Sequence, residues 1–259
     1  MIKIESKENT LFKEFKKLKE KKYRQQKQSY IVEGFRFVEE AIRSSANIEY
    51  IVIDEKVLDK AEELLNENNI KSIKVIVLAS SLFNQLIFTE TPQGIIAITK
   101  MKDFSLSEGE IFVLVDKVQD PGNMGTIIRT AHAVNAAGII LTKGTVDVYN
   151  DKTLRSTMGS IFYMPIIVDN DLSLIKKLKE KNYKLIVSSL QGKNNFFEED
   201  LSGNIIIAVG NEGSGVSKEI EDLADIKVRI PMPGNAESLN VAVATSIMLY
   251  EKIRQNLIK

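Results

Sequence analysis

Six apolar runs in the second half of the chain limit its fold more than any other feature. They are IFVLV from Ile111, GIIL from Gly138, PIIV from Pro165, KLIVS from Lys184, NIIIAV from Asn204 and IKVRI from Ile226. A strand that is apolar at nearly every position, instead of every second one, has two faces to bury. Helical segments such as NMGTIIRTAHAV and LSLIKKLKEKN separate some of the runs. The alternation predicts a mainly parallel sheet covered by helices on both faces. Sites in such sheets lie beyond the carboxyl ends of the strands.

The first hundred residues read as a smaller α/β unit. A basic helix is followed by YIVEG, a helical GFRFVEEAIRSS, a strand IEYIVID, a helical DKAEELLNENN, a strand IKVIVLA, and a strand GIIAIT after the turn TPQ. The polar segment Lys100 to Glu110 separates the two series, which puts the expected domains at residues 1–104 and 105–259. Net charge is zero, with 35 basic and 35 acidic residues, yet residues 1–30 hold ten Lys or Arg against four Glu. Such an arm suits either a phosphate backbone or a solvated helix face with Lys and Glu paired along it.

Composition removes several chemistries. With no cysteine and one histidine, His132, the chain has no disulfide, thiolate zinc site or cysteine nucleophile, and no metal site is expected. The charged N-terminus lacks a signal-peptide core, and no uninterrupted apolar run reaches the ~18 residues of a membrane span. The expected setting is cytoplasmic, away from membranes. G-x-x-x-x-G-K-[ST] does not occur, and GNEGSG has the wrong spacing for a dinucleotide fingerprint.

Three loops that follow strands are rich in Gly, Pro and Asn. In DKVQDPGNMGTIIRTA, from Asp116, Pro121-Gly122 forces a turn and Asn123 is placed to cap the helix carrying Arg129. In VGNEGSGVS, from Val209, three glycines allow close approach of backbone to a ligand, with amides free to donate. In IPMPGNAESLN, from Ile230, two prolines fix an extended path before Ser238 begins an unusually apolar last helix. Taken singly, each loop is more often a tight turn of an α/β domain than a site.

Together and in this order they closely resemble the three motifs of the SpoU (TrmH) family of RNA ribose 2′-O-methyltransferases, of the SPOUT superfamily. The match lies in NMGTIIRTA at Asn123–Ala131, GNEGSG at Gly210–Gly215, and IPM with SLNVAVA at Ile230–Met232 and Ser238–Ala244. It covers roughly Ile111 to the C-terminus, while YIVEGFRFVEEA and TPQGIIAIT resemble the family's RNA-binding domain. The resemblance implies an α/β chain whose C-terminal parallel-sheet methyltransferase domain is tied in a trefoil knot, behind a smaller N-terminal α/β RNA-binding domain. It also implies a homodimer. A last helix enclosed by its own domain and by a second subunit would account for the crowding of Leu239, Val241, Ala242, Val243, Ala244, Ile247, Met248 and Leu249 along it. A plain core helix would account for it as well.

Carried over residue by residue, the resemblance implies S-adenosylmethionine held by Gly210, Ile230 and Leu239, with Gly213 and Met232 alongside. It makes Arg129 catalytic, with Asn123, Glu212, Ser238 and Asn240 arranging the site. Deprotonating an arginine of pKa about 12.5 or more at pH 7 costs at least about 7 kcal/mol. Binding the phosphate beside the target ribose is therefore the preferred role for Arg129, with a base role left open. His132 is expected to be a packed or surface residue. The expected reaction is methylation of a ribose 2′-hydroxyl in structured RNA, with large-subunit ribosomal RNA preferred. Transfer RNA as substrate, or an idle RNA-binding protein on the same fold, are the alternatives.

Overall fold

The computed structural model describes residues 1–68, 73–104, 108–189, 192–234 and 236–258. The backbone forms two units, one made of Met1–Asp103 with Tyr149–Phe162, the other of Phe104–Val148 with Tyr163–Lys259. The boundary expected between 104 and 105 adjoins residues 105–107, which lie outside the described residues. The return of Tyr149–Phe162 to the first unit is not announced by any change of composition.

The first unit runs β1 (Ile2–Ile4), α1 (Thr10–Lys17), α2 (Lys21–Lys27), β2 (Ser29–Glu33), α3 (Phe35–Arg43), β3 (Ile48–Asp54), α4 (Leu58–Glu67), β4 (Lys74–Leu78), α5 (Ser80–Phe83) and β5 (Ile95–Lys100). Its sheet has the order β1-β4-β3-β5-β2, with β5 antiparallel to both neighbours. Phe12 and Phe15 of α1 pack with Val52, Ile76 and Ile96 of the sheet and with Phe83. Asn9 starts α1 by accepting from the amides of Leu11 and Phe12.

The single basic helix expected here is two helices. The chain turns at Leu18–Glu20, where the buried Arg24 guanidinium donates to the carbonyls of Leu18 and Lys19 at 2.9 and 2.8 Å. No glycine or proline marks this break. The arm's charges are also unequal. Lys13 pairs with Glu8 and Lys27 with Glu14, as a solvated face would, while Lys19 donates to the carbonyls of Gln85 and Ile87. The YIVEG and TPQ segments meet at a turn. The Gln93 side-chain oxygen accepts from the Phe35 amide at 2.8 Å, and the Glu33 carboxylate accepts from the Phe88 amide and the Thr89 hydroxyl. Gly34 sits there at φ 101°, a conformation that favours glycine.

Tyr149–Phe162 carries α7 (Asp151–Thr157), which packs against β2. Tyr149 lies on Tyr30 with ring centroids 4.8 Å apart, and Phe162 lies on Phe37 at 5.3 Å. Burial pushes the Tyr30 hydroxyl far above its ordinary pKa.

The second unit contains β6 (Ile111–Val115), α6 (Pro121–Ala133), β7 (Gly138–Leu141), β8 (Ile166–Val168), α8 (Ser173–Glu180), β9 (Lys184–Ser188), β10 (Asn194–Asn195), β11 (Ile205–Val209), α9 (Lys218–Glu221), β12 (Ile226–Arg229) and α10 (Val241–Leu257). Its sheet has the order β10-β12-β9-β11-β6-β7-β8, and every pairing is parallel, as the apolar runs require. β6 and β11 are buried throughout and β9 in its centre, and α8 and α9 cover one face through Ile175, Leu178 and Ile220. From β6 the chain first moves outward through β7 and β8. It then crosses to β9 and returns with β11 into the place beside β6. That reversal opens a crevice at the carboxyl ends of β6 and β11.

The last helix departs from expectation at its start. It begins at Val241, with Asn240 in the capping position that Ser238 was expected to hold; the Asn240 side chain accepts from the amides of Ala242 and Val243. It is also covered on only one side by its own chain. Val241, Ala242, Thr245, Met248, Leu249 and Lys252 are buried, whereas Leu239, Val243 and Tyr250 are exposed. Among the described residues no helix is long and apolar enough to cross a membrane, and no cluster of His, Asp or Glu could hold a metal ion.

Candidate active site

The three loops meet at the carboxyl ends of β6, β11 and β12, and hydrogen bonds from a few side chains hold them there. Asp116, the first residue after β6, is buried. It accepts from the Thr142 hydroxyl at 2.6 Å and from the Ser217 amide at 2.7 Å, which joins the first loop to the second. A buried carboxylate with both oxygens occupied is a fixed anchor. Sequence reasoning did not single it out, although an acid directly after a continuous apolar strand is itself a signal.

Asn123 was expected to cap α6, but Asp120 does so, with its carboxylate accepting from the Asn123 amide at 2.8 Å. Pro121 is the first helical residue, where its fixed φ and missing N–H are tolerated. Asn123 is thus inside the first turn with its side chain released. Its amide nitrogen donates to Glu212 at 3.0 Å, and its amide oxygen accepts from Asn240 at 2.8 Å. One residue from each motif thereby joins a single chain, Asn240 to Asn123 to Glu212.

Glu212 also accepts from the backbone amides of Gln119 and Asp120, each at 3.2 Å. Partial burial alone would raise its pKa, but the donors Asn123, Gln119 and Asp120 hold it below the ordinary glutamate value.

The second loop is a tight hairpin in which Asn211 and Gly215 exchange two backbone hydrogen bonds of 2.9 Å. A Cβ on Gly210 would lie 2.1 Å from the Gly215 carbonyl carbon, so glycine is obligatory there. The expectation of free amides is corrected for part of this loop. The Gly213 and Ser214 amides donate to the Asn211 side chain at 3.0 and 3.1 Å. They close the hairpin and are not available to a ligand.

Beside this hairpin lies a cleft of about 860 Å³, lined by Gly210, Glu212, Gly213, Ile230, Met232, Ser238, Leu239 and Asn240. Ser188, Ser189, Lys218 and Arg229 line it too, none of which sequence reasoning named. The volume is in the range of small-molecule and cofactor sites. Val209, Ile230 and Leu239 give apolar walls for a flat base, the Gly210 backbone lines the cleft beside them, and acidic and basic side chains, among them Glu221, Lys218 and Arg229, line it as well. This donor set fits S-adenosylmethionine, which combines an adenine with a cationic sulfonium and an amino-acid tail.

Arg129 does not line the cleft. It is exposed on α6, six residues beyond Asn123. His132, one turn further on, is exposed and stacked on Tyr163.

Residues 110–250 match the SpoU rRNA Methylase family. The chain belongs to that family. Residues 9–97 match the MRM3-like substrate binding domain. Among curated relatives, the Bacillus subtilis 23S rRNA (guanosine(2553)-2'-O)-methyltransferase RlmP is 37% identical over 96% of this chain and 98% of its own length. The AdoMet-bound SpoU methyltransferase AviRb from Streptomyces viridochromogenes superposes with a TM-score of 0.87 at 28% identity, covering 96% of this chain and 98% of that one. An AdoMet-bound rRNA methyltransferase from Sinorhizobium meliloti gives a TM-score of 0.84 at 31% identity, covering 98% and 97%. This SpoU chain is a methyltransferase, and its methyl donor is S-adenosylmethionine.

Proposed function

We propose that the protein methylates a ribose 2′-hydroxyl of ribosomal RNA, acting in the cytoplasm as a homodimer. The hydrogen-bonded chain Asn240–Asn123–Glu212 carries this reading, because it locks all three motif loops around the mouth of one cleft. Gly210, Ile230, Met232 and Leu239 hold the cofactor, with Gly213 shaping the hairpin beside it. S-adenosylmethionine, when bound, supplies an electrophilic methyl group on its sulfonium. The residues of this chain present the ribose hydroxyl in line with that methyl.

Glu212, whose carboxylate is already occupied by the donors of Asn123, Gln119 and Asp120, serves as a positioning residue with Asn123, Asn240 and Ser238. Arg129 holds the phosphate next to the target ribose. Its guanidinium has no hydrogen bond or ion pair among the described residues, which leaves its donors available to an RNA phosphate. It lies outside the cleft of its own chain, and this supports its action at the cleft of a partner subunit. The exposed apolar stripe of α10, with Val243 and Tyr250, is the surface such a partner would cover. The trefoil knot, which the family resemblance implies, belongs to the same reading.

The test is transfer of labelled methyl to total ribosomal RNA and, separately, to total transfer RNA, both from cells lacking this protein. Label in ribosomal RNA is expected, and label confined to transfer RNA would overturn the substrate assignment. Arg129→Ala is expected to lower transfer at least a hundredfold while leaving cofactor affinity within about twofold. Equal loss of both would make Arg129 a structural residue.

A further inference from the structure

His132 and Tyr163 form a feature that the mechanism above does not use. Their ring centroids are 4.9 Å apart with planes only 7° from parallel. Both side chains are exposed, Tyr163 to 41%. The backbone beneath them is firmly held: Ala131 precedes His132 in the core, and Phe162 and Met164 on either side of Tyr163 are both buried. Aromatic rings ordinarily gain their stability by leaving water. Here two flat rings lie parallel to each other and exposed to water.

Their position gives the pair a context. His132 follows Arg129 by three residues on α6, and residues at that spacing are neighbours on a helix surface. A phosphate held by Arg129 would bring a nucleotide within reach of the His132 and Tyr163 rings. Unpaired RNA bases stack on exposed aromatic faces, and this contact tolerates any base because every base has a π face.

We propose that His132 and Tyr163 form a stacking platform for an unpaired nucleobase of the RNA substrate, adjoining the phosphate held by Arg129. The proposal rests on the RNA methyltransferase reading. It makes the pair a substrate-positioning element whose loss affects RNA binding before it affects the chemical step. It also favours a target in a loop or bulge over one in a continuous duplex.

The chain contains no tryptophan, so Tyr163→Trp installs a single fluorescent reporter at the platform. Its emission would be titrated with a ribosomal RNA fragment that accepts methyl from the wild-type protein, and with a ribose-phosphate oligomer of equal length lacking bases. Quenching by the fragment and not by the abasic oligomer is expected. His132→Ala and Tyr163→Leu should each raise KM for the fragment roughly tenfold with kcat and cofactor affinity nearly unchanged. His132→Phe, which keeps the stack, should restore KM. Equal quenching by both oligomers, or an unchanged KM in both variants while the wild type is active, would overturn the platform and leave the methyltransferase reading intact. Failure of the wild type to methylate any ribosomal RNA would overturn that reading and the platform with it.

Discussion

Glu212 joins the second motif loop to the first through one side-chain and two backbone donors. Glu212→Gln replaces one accepting oxygen with an NH₂ group that faces N–H donors. The expected cost is about 1 kcal/mol, at the low end for bonds to a charged acceptor because the site is open to solvent. The pH dependence has a definite sign. A carboxylate whose native pKa is depressed stabilises the fold fully above its unfolded value, near 4.3, and loses that contribution as pH falls through the native value. The difference in urea midpoint between wild type and Glu212→Gln should thus be constant from pH 6 to 8 and shrink below about pH 4.5. A difference that grows on acidification would refute the assignment. At this scale the sequence was legible in kind more than in role. Asn123 carries the right chemistry for a cap, but Pro121 at the first helical position already points to Asp120 as the cap and releases Asn123 for the loops. At the last helix the displacement runs the other way, from Ser238 to the true cap, Asn240.

Asn240 does two separable jobs for α10, and substitution can divide them. Its side-chain oxygen caps the helix, and its side-chain nitrogen donates to Asn123. Asn240→Ala removes both and should lower stability by about 1 kcal/mol and abolish most methyl transfer. Asn240→Asp keeps the cap and loses the donor. Thermal melting should return close to wild type while transfer stays low; recovery of both would mean that the link to Asn123 is dispensable. The exposed side of α10 bears on assembly. A helix this apolar is legible from sequence as one that needs covering, but sequence does not say that its own chain covers only one side. Val243→Asp with Tyr250→Glu puts two charges on that stripe and should convert a dimer to a monomer in sedimentation equilibrium at micromolar concentration, with little change in the far-UV spectrum. A wild-type protein that sediments as a monomer at that concentration would remove the stripe as an interface.

The whole molecule is legible in its strands and less so in its connections. The continuous apolar runs identified the parallel sheet because hydrophobic burial on two faces leaves a compositional trace. β1, three residues at a sheet edge with an exposed lysine, leaves almost none, and neither does the return of Tyr149–Phe162 to the first unit. That return has an energetic consequence for any attempt to divide the chain at residue 104. Leu154, Ile161 and Phe162 are buried, as is Tyr30, on which Tyr149 packs. Full burial of an aliphatic or aromatic side chain contributes about 1.5–3 kcal/mol, so three such residues supply roughly 5–9 kcal/mol. Whole-domain stabilities are only about 5–15 kcal/mol. Residues 1–103 expressed alone should therefore melt without a cooperative transition and bind a hydrophobic dye. Joining residues 149–162 to Asp103 through a flexible Gly/Ser linker should restore a cooperative melt and suppress dye binding. If residues 1–103 melt as sharply and as high without the segment, its packing against Tyr30 and Phe37 contributes little, and the two halves of the chain are separable where sequence alone would divide them.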